Sequence, residues 1–316
     1  MKTKNFLIAS GAVLALGALT ACSNDKSQEP SNDQILHFYV AGVETRTATG
    51  DINKTNIEEG NTVGIFGISS DESEVQNGSN NKYNVGTGGA LTADDGEMKA
   101  TERSNIDIFA YAPHQESWSD HQTSYNFTVN TNQSDIKEYI ASDLLYAETT
   151  ISNISSSQAA VGLTFTHKMA RVILKITRAK GADDLTNAIV TVNNTKPTIS
   201  FSPKNGILGE ATGTRNNITA LSKLGTNETV YAVVVPQTID SETTLFTIQT
   251  SDRKFSLVLE DEVTFVSGSS YTYNVTVNPT ELKDITITLT SPSTTTQVTD
   301  WNVEEGEEAE AIESQL

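Results

Sequence analysis

From residue 34 onward the chain consists of short apolar or alternating runs separated by clusters of Gly, Asn, Asp and Ser, and this two-residue period confines it to β-structure. Around residue 174 the alternation is clean: Val172, Leu174 and Ile176 interleave with Ile173, Lys175 and Thr177, so one face of a strand is apolar throughout. Helical periodicity is almost absent. One helix is expected near residues 135–140, where Asp135 and Glu138 have the spacing of a capping pair.

Strands are expected over 35–40, 63–66, 106–112, 125–129 and 143–147, and again over 162–165, 171–177, 188–192, 198–201, 230–235, 245–250, 254–259 and 271–277. Between the two groups, residues 149–157 are rich in Ser and Asn without an aromatic residue, as a linker between compact units would be. Many short Thr- and Val-rich strands with Gly/Asn turns predict an all-β chain of two β-sandwiches in tandem, 47–157 and 158–279.

The chain continues past Pro279 with one more amphipathic strand, in which Ile285, Ile287 and Leu289 alternate with Thr286, Thr288 and Thr290. Residues 294–298 offer another, Trp301 follows, and a glutamate-rich stretch over 304–313 reads as a solvated or partly helical end. Residues 280–316 are therefore expected to form a strand extension with an acidic tail.

The first 21 residues have the order of a secretory signal: Lys2 and Lys4, then an apolar run from Phe6 to Leu19 too short to span a membrane comfortably. Leu19-Thr20-Ala21-Cys22 is a lipoprotein box, in which small residues admit a peptidase and the thiol accepts a diacylglycerol. Cys22 is the single cysteine, so neither an internal disulfide nor a multi-cysteine metal site is available. Lipidation at Cys22 predicts a protein tethered to the outer membrane by residues 22–46, with durable anchoring from several acyl chains.

The formal net charge is −19, and removal of residues 1–21 takes away two lysines and no acidic group, leaving −21. Nucleic acid and anionic lipid surfaces are poor partners for such a chain. His37, His114, His121 and His167 are scattered, with no helical metal pair among them, and neither a nucleophile elbow, a P-loop nor a dinucleotide fingerprint occurs. Ser251-Asp252-Arg253-Lys254 matches S-x-x-K without its companion signatures and falls in an expected hairpin turn. Asp94-Asp95-Gly96 and Asp183-Asp184 lack the alternating ligands of a calcium loop. Neither a cofactor nor catalysis is expected. Trp118, near Tyr111 and Tyr125, is either a core aromatic or a sugar-stacking platform, and the second option defines the alternative of a surface glycan-binding lipoprotein that does not polymerise.

Several segments, in order, resemble the fimbrillin family, the lipoprotein pilus subunits of Bacteroides-type bacteria. They are Val43-Glu44-Thr45-Arg46-Thr47, Glu59-Gly60-Asn61-Thr62-Val63-Gly64-Ile65-Phe66, Ile106-Asp107-Ile108-Phe109-Ala110-Tyr111-Ala112-Pro113, Asp143-Leu144-Leu145-Tyr146-Ala147, and the run from Leu163 through Thr166-His167-Lys168-Met169-Ala170-Arg171 to Val172. The resemblance implies two transthyretin-like sandwiches, export as a lipidated precursor, and cleavage by an arginine-specific protease between Arg46 and Thr47. That cut would remove the first strand, with Leu36, Phe38 and Val40 facing inward, and open a groove for a strand from another subunit. Loss of an edge strand leaves unpaired backbone groups and an apolar trough, which strand addition satisfies. Ile285, Ile287 and Leu289 have the alternation a donor needs, so the implied partners are other copies or related pilus subunits. A host or bacterial surface ligand is a further partner of such a fibre.

Overall fold

A computed structural model of the chain describes residues 32–41, 57, 59–182, 184–222, 228–277, 302–303 and 311–313. The first part contains β1 (Asp33–Ile35), β2 (Phe38–Val40), β3 (Thr62–Ser69), β4 (Asn81–Val85), β5 (Ala90–Ala93), β6 (Lys99–Thr101), β7 (Ile106–Ala112) and β8 (Tyr125–Thr128). It continues with α1 (Ile136–Ala141), β9 (Leu145–Ile151), β10 (Val161–Leu163) and β11 (Thr166–His167). Eight of these strands form one sheet in the order β10-β2-β5-β4-β3-β7-β9-β11, and β1 pairs separately with β6. Inward side chains of these strands, among them Val63, Ile65, Tyr83 and Ile108, make a first hydrophobic core together with Met98 and Phe165 from the adjoining connections.

The second part contains β12 (Ala170–Arg178), β13 (Ile189–Thr195), β14 (Thr198–Phe201), β15 (Leu208–Thr212), β16 (Asn216–Thr219), β17 (Leu221–Ser222) and β18 (Thr229–Val234). Then follow β19 (Gln237–Ile239), β20 (Thr244–Gln249), β21 (Lys254–Val258), β22 (Val263–Phe265), β23 (Ser269–Val277), β24 (Asn302–Val303) and β25 (Ala311–Glu313). Two five-stranded sheets, β17-β18-β12-β23-β24 and β16-β13-β20-β21-β25, enclose a second core. The chain is all-β as expected, and its α-helix begins where the sequence placed it, with the Asp135 carboxylate accepting the Lys137 N–H at 2.8 Å.

Four expectations need correction. The polar stretch at 149–157 is not a plain linker: its first three residues complete β9, and Ile151 and Ile154 are buried in the first core. Residues 161–163 and 166–167 still pair with the first sheet, so the crossing to the second set of strands comes after His167, later than the 157/158 boundary. Residues 311–313, within the acidic stretch read as solvated or helical, pair antiparallel with β21. The clean alternation in β12 fails in its first half, where Ala170 to Leu174 are all buried. Ile173 lies opposite Tyr231 in the register, and the ring of Tyr139 on α1 meets Tyr231 at 6.5 Å, so the helix covers the face that would otherwise meet water.

The two parts share strands as well as core. β8 pairs antiparallel with β14, which in turn pairs with β15. Gln133, fully buried, donates to the Val233 carbonyl and accepts the Val233 N–H, both at 2.8 Å. That side chain continues the edge of β18 beyond the short β17, where the backbone would otherwise lack a partner.

Candidate strand-binding slot

Residues 33–41 alternate in chemistry and burial. Leu36, Phe38 and Val40 are 0%, 3% and 1% exposed, whereas Ile35 and Tyr39 retain 46% and 40%. The expected inward set is therefore the observed one. The segment is not a single strand, however: it breaks at Leu36-His37, with β1 pairing with β6 and β2 pairing in the large sheet. The break carries the chain from one sheet to the other, and the Leu36 N–H stays satisfied there by the Met98 carbonyl at 2.9 Å.

Neither is β2 an edge strand. It lies one position in, antiparallel to β5 through Phe38↔Leu91 and Tyr39↔Ala90, and parallel to β10 through Phe38↔Val161, Tyr39↔Gly162 and Val40↔Leu163. Val161 N–H donates to the His37 carbonyl and Ala41 N–H to the Leu163 carbonyl, each at 2.8 Å. The site is thus a slot with a strand on either side, and a strand that enters it gains ladder bonds along both edges.

The floor of the slot is aromatic and closely packed. The Phe38 ring meets Tyr83 edge-on, with centroids 5.6 Å apart and planes at 84°. Tyr83 has no exposed surface, its hydroxyl accepts the Met98 N–H at 3.3 Å, and burial pushes its pKa up to about 12. Met98 is fixed from its far side by Gly67, where an added Cβ would stand 2.4 Å from the Met98 Sδ. On the solvent side, Tyr39 lies over Gly162: a Cβ there would be 2.8 Å from the Tyr39 hydroxyl oxygen. Burial of Leu36, Phe38 and Val40 at about 2 kcal/mol each stabilises the seated segment by roughly 6 kcal/mol before the ladder bonds.

Sequence reasoning assigned residues 162–165 to the second unit and missed Tyr83, Met98 and Val161 as parts of the site. Cys22, Arg46, Thr47, Ile285, Ile287 and Leu289 lie outside the described residues. Trp118 is 2% exposed and packs against Tyr111, Tyr125 and Phe201 with centroids 4.6–5.4 Å away, so its ring faces are covered and offer no sugar platform. The Asp94 carboxylate binds Lys82 at 3.0 Å and the Asn84 amide. Among the described residues, no group of three or more His, Cys, Asp or Glu side chains is placed to hold a metal ion. Ser251 to Arg253 fall in the turn between β20 and β21, and Lys254 is the first residue of β21.

The profile of the fimbrillin-like family matches residues 45–301. Among solved structures, a candidate cell adhesion protein from Bacteroides ovatus superposes with a TM-score of 0.61 at 16% identity, covering 89% of this chain and 99% of that one. A second candidate cell adhesion protein, from Bacteroides uniformis, gives 0.59 at 21% identity, covering 79% and 94%. No curated protein matches the sequence.

Proposed function

Because the chain belongs to the fimbrillin-like family, we propose that it is a structural, non-catalytic subunit of a cell-surface fimbria. It is made as a precursor lipidated at Cys22 in the outer membrane and is cut between Arg46 and Thr47. Loss of the first segment then opens the slot to a strand from another copy or a related subunit. A polymerising stalk role fits best, since the slot is matched in the sequence by the alternation of Ile285, Ile287 and Leu289 that a donated segment needs.

One observation carries this reading: Leu36, Phe38 and Val40 fill an apolar slot between β5 and β10 while the segment joins the rest of the molecule through only short ladders. A strand so placed leaves, once its covalent link is cut, a cavity that only another strand satisfies along both edges. Treatment of the purified precursor with a trypsin-like protease is expected to remove the N-terminal segment and to yield ladders of oligomers that survive mild detergent. Persistent monomers after complete cutting would contradict the reading.

A further inference from the structure

Three connections rich in turn residues meet beside β4: residues 77–80 before it, residues 94–96 after β5, and residues 113–119 after β7. Between them lies a cleft of about 340 Å³. Asn77 and Asn80 adopt positive φ, 57° and 44°, which short amide side chains tolerate in tight turns. The walls are braced from within: the Tyr111 hydroxyl donates to Asn80 Oδ1 at 2.6 Å, and Asn80 Nδ2 donates to the Gln115 carbonyl at 2.9 Å. Lys82 ties the second connection to the third, with Nζ 3.0 Å from the Asp94 carboxylate and 3.7 Å from that of Glu116.

Hydrogen-bonding capacity is left over inside this cleft. Asn77 and Asn81 donate through Nδ2 to the Glu97 and Gly96 carbonyls, both at 3.0 Å, and their side-chain oxygens accept from no described residue. The His114 side chain lines the cleft and is only 4% exposed, with Nδ1 3.8 Å from the nearest Glu116 oxygen, too far for a hydrogen bond. The Asn80 carbonyl is the backbone group that acts on this ring, and it serves one of the two nitrogens at most, so the other is unpaired. A buried polar atom in that position is stabilised by a guest that bonds to it. Desolvation lowers the His114 pKa and keeps the ring neutral at neutral pH, so the carboxylates of Asp94, Asp95 and Glu116 against the Lys82 ammonium give the lining a formal charge of −2.

These features narrow the guest to one chemical class. An anion is repelled by the net charge, a bare cation meets the Lys82 ammonium between two of the carboxylates, and an apolar molecule would strand the polar lining. A hydroxyl group both donates and accepts, so it suits the carboxylates and amide oxygens on one side and Lys82 and His114 on the other. We propose that this cleft binds a neutral saccharide through its hydroxyl groups. The volume lies at the small end of ligand sites and suits about one or two sugar rings. Trp118 lines the cleft with its ring faces covered, so recognition falls on hydrogen bonds and not on stacking. No lining residue belongs to the segment that cutting would remove, so binding is read separately from strand exchange.

The test measures binding of the full chain to immobilised neutral oligosaccharides in two sets, one released from host mucin and one from the bacterium's own surface polysaccharide, beside a set ending in glucuronic acid. Binding to either neutral set supports the proposal, and which set binds identifies the source. The double variant Asp95→Asn/Glu116→Gln is expected to weaken that binding by about tenfold or more, through loss of charge-assisted hydrogen bonds. Its thermal midpoint is expected to stay within about a degree of the unsubstituted chain, because both carboxylates are exposed. Glu72→Gln, which alters an exposed carboxylate paired with Lys204 outside the cleft, is expected to bind as the unsubstituted chain does. Absence of binding to both neutral sets, tighter binding of the glucuronic-acid set, or binding unchanged in the double variant would each overturn the proposal.

Discussion

Gln133 has no exposed surface, and its amide serves the backbone of a strand far away in sequence, bonding Val233 through both N–H and C=O. Gln133→Leu keeps the volume and removes both bonds, leaving a buried donor and a buried acceptor on β18 without their partner. Such groups cost about 1–3 kcal/mol each, so the variant is expected to unfold at a clearly lower urea midpoint with an unchanged slope; an unchanged midpoint would deny the clamp its role. Nothing in the sequence marks this glutamine among its neighbours Asn132 and Ser134, because its partner is fixed only by the tertiary fold. Tyr83 gives a pH test. Burial raises its folded pKa from the ordinary phenol value of 10.0 to about 12, so the unfolded chain loses the proton first. The stability associated with the neutral phenol is complete below pH 10 and falls as pH rises from there toward about 12. Tyr83→Phe is expected to flatten that part of the alkaline unfolding curve, measured by circular dichroism.

At the scale of elements, the parallel contact between β2 and β10 decides how firmly the first segment is held. Val161→Pro removes the N–H that donates to the His37 carbonyl at 2.8 Å without placing a new group in the core. Amide exchange at residues 38–40 is expected to quicken by about tenfold, in line with the loss of one net hydrogen bond; unchanged protection would show that β10 does not hold the segment. The inward set Leu36, Phe38 and Val40 was legible because alternation fixes which face is buried. The neighbour was not legible, because periodicity carries no information about which distant strand completes the ladder. The short strands β4, β5 and β6 escaped for a related reason: only Tyr83, Val85, Leu91 and Ala100 among them bury apolar side chains, too few to form a pattern. Residues 149–151 escaped because Thr-rich edges of strands and Ser/Asn-rich linkers share a composition, and only Ile151 and Ile154 hinted at the core beneath.

For the whole molecule, the β8–β14 pairing and the Gln133 clamp join the two sets of strands across one continuous body of packed side chains. The acidic net charge of −19 leaves this body suited to a surface exposed to water and to association through backbone pairing, not through broad electrostatic contact. Assembly by strand exchange requires that the segment bearing Leu36, Phe38 and Val40 be seated for removal and absent from the assembled form. N-terminal sequencing of subunits sheared from the cell surface as filaments tests this most directly. The expected result is a chain beginning at Thr47, without the first two strands; filaments whose subunits retain residues 33–41 would contradict it.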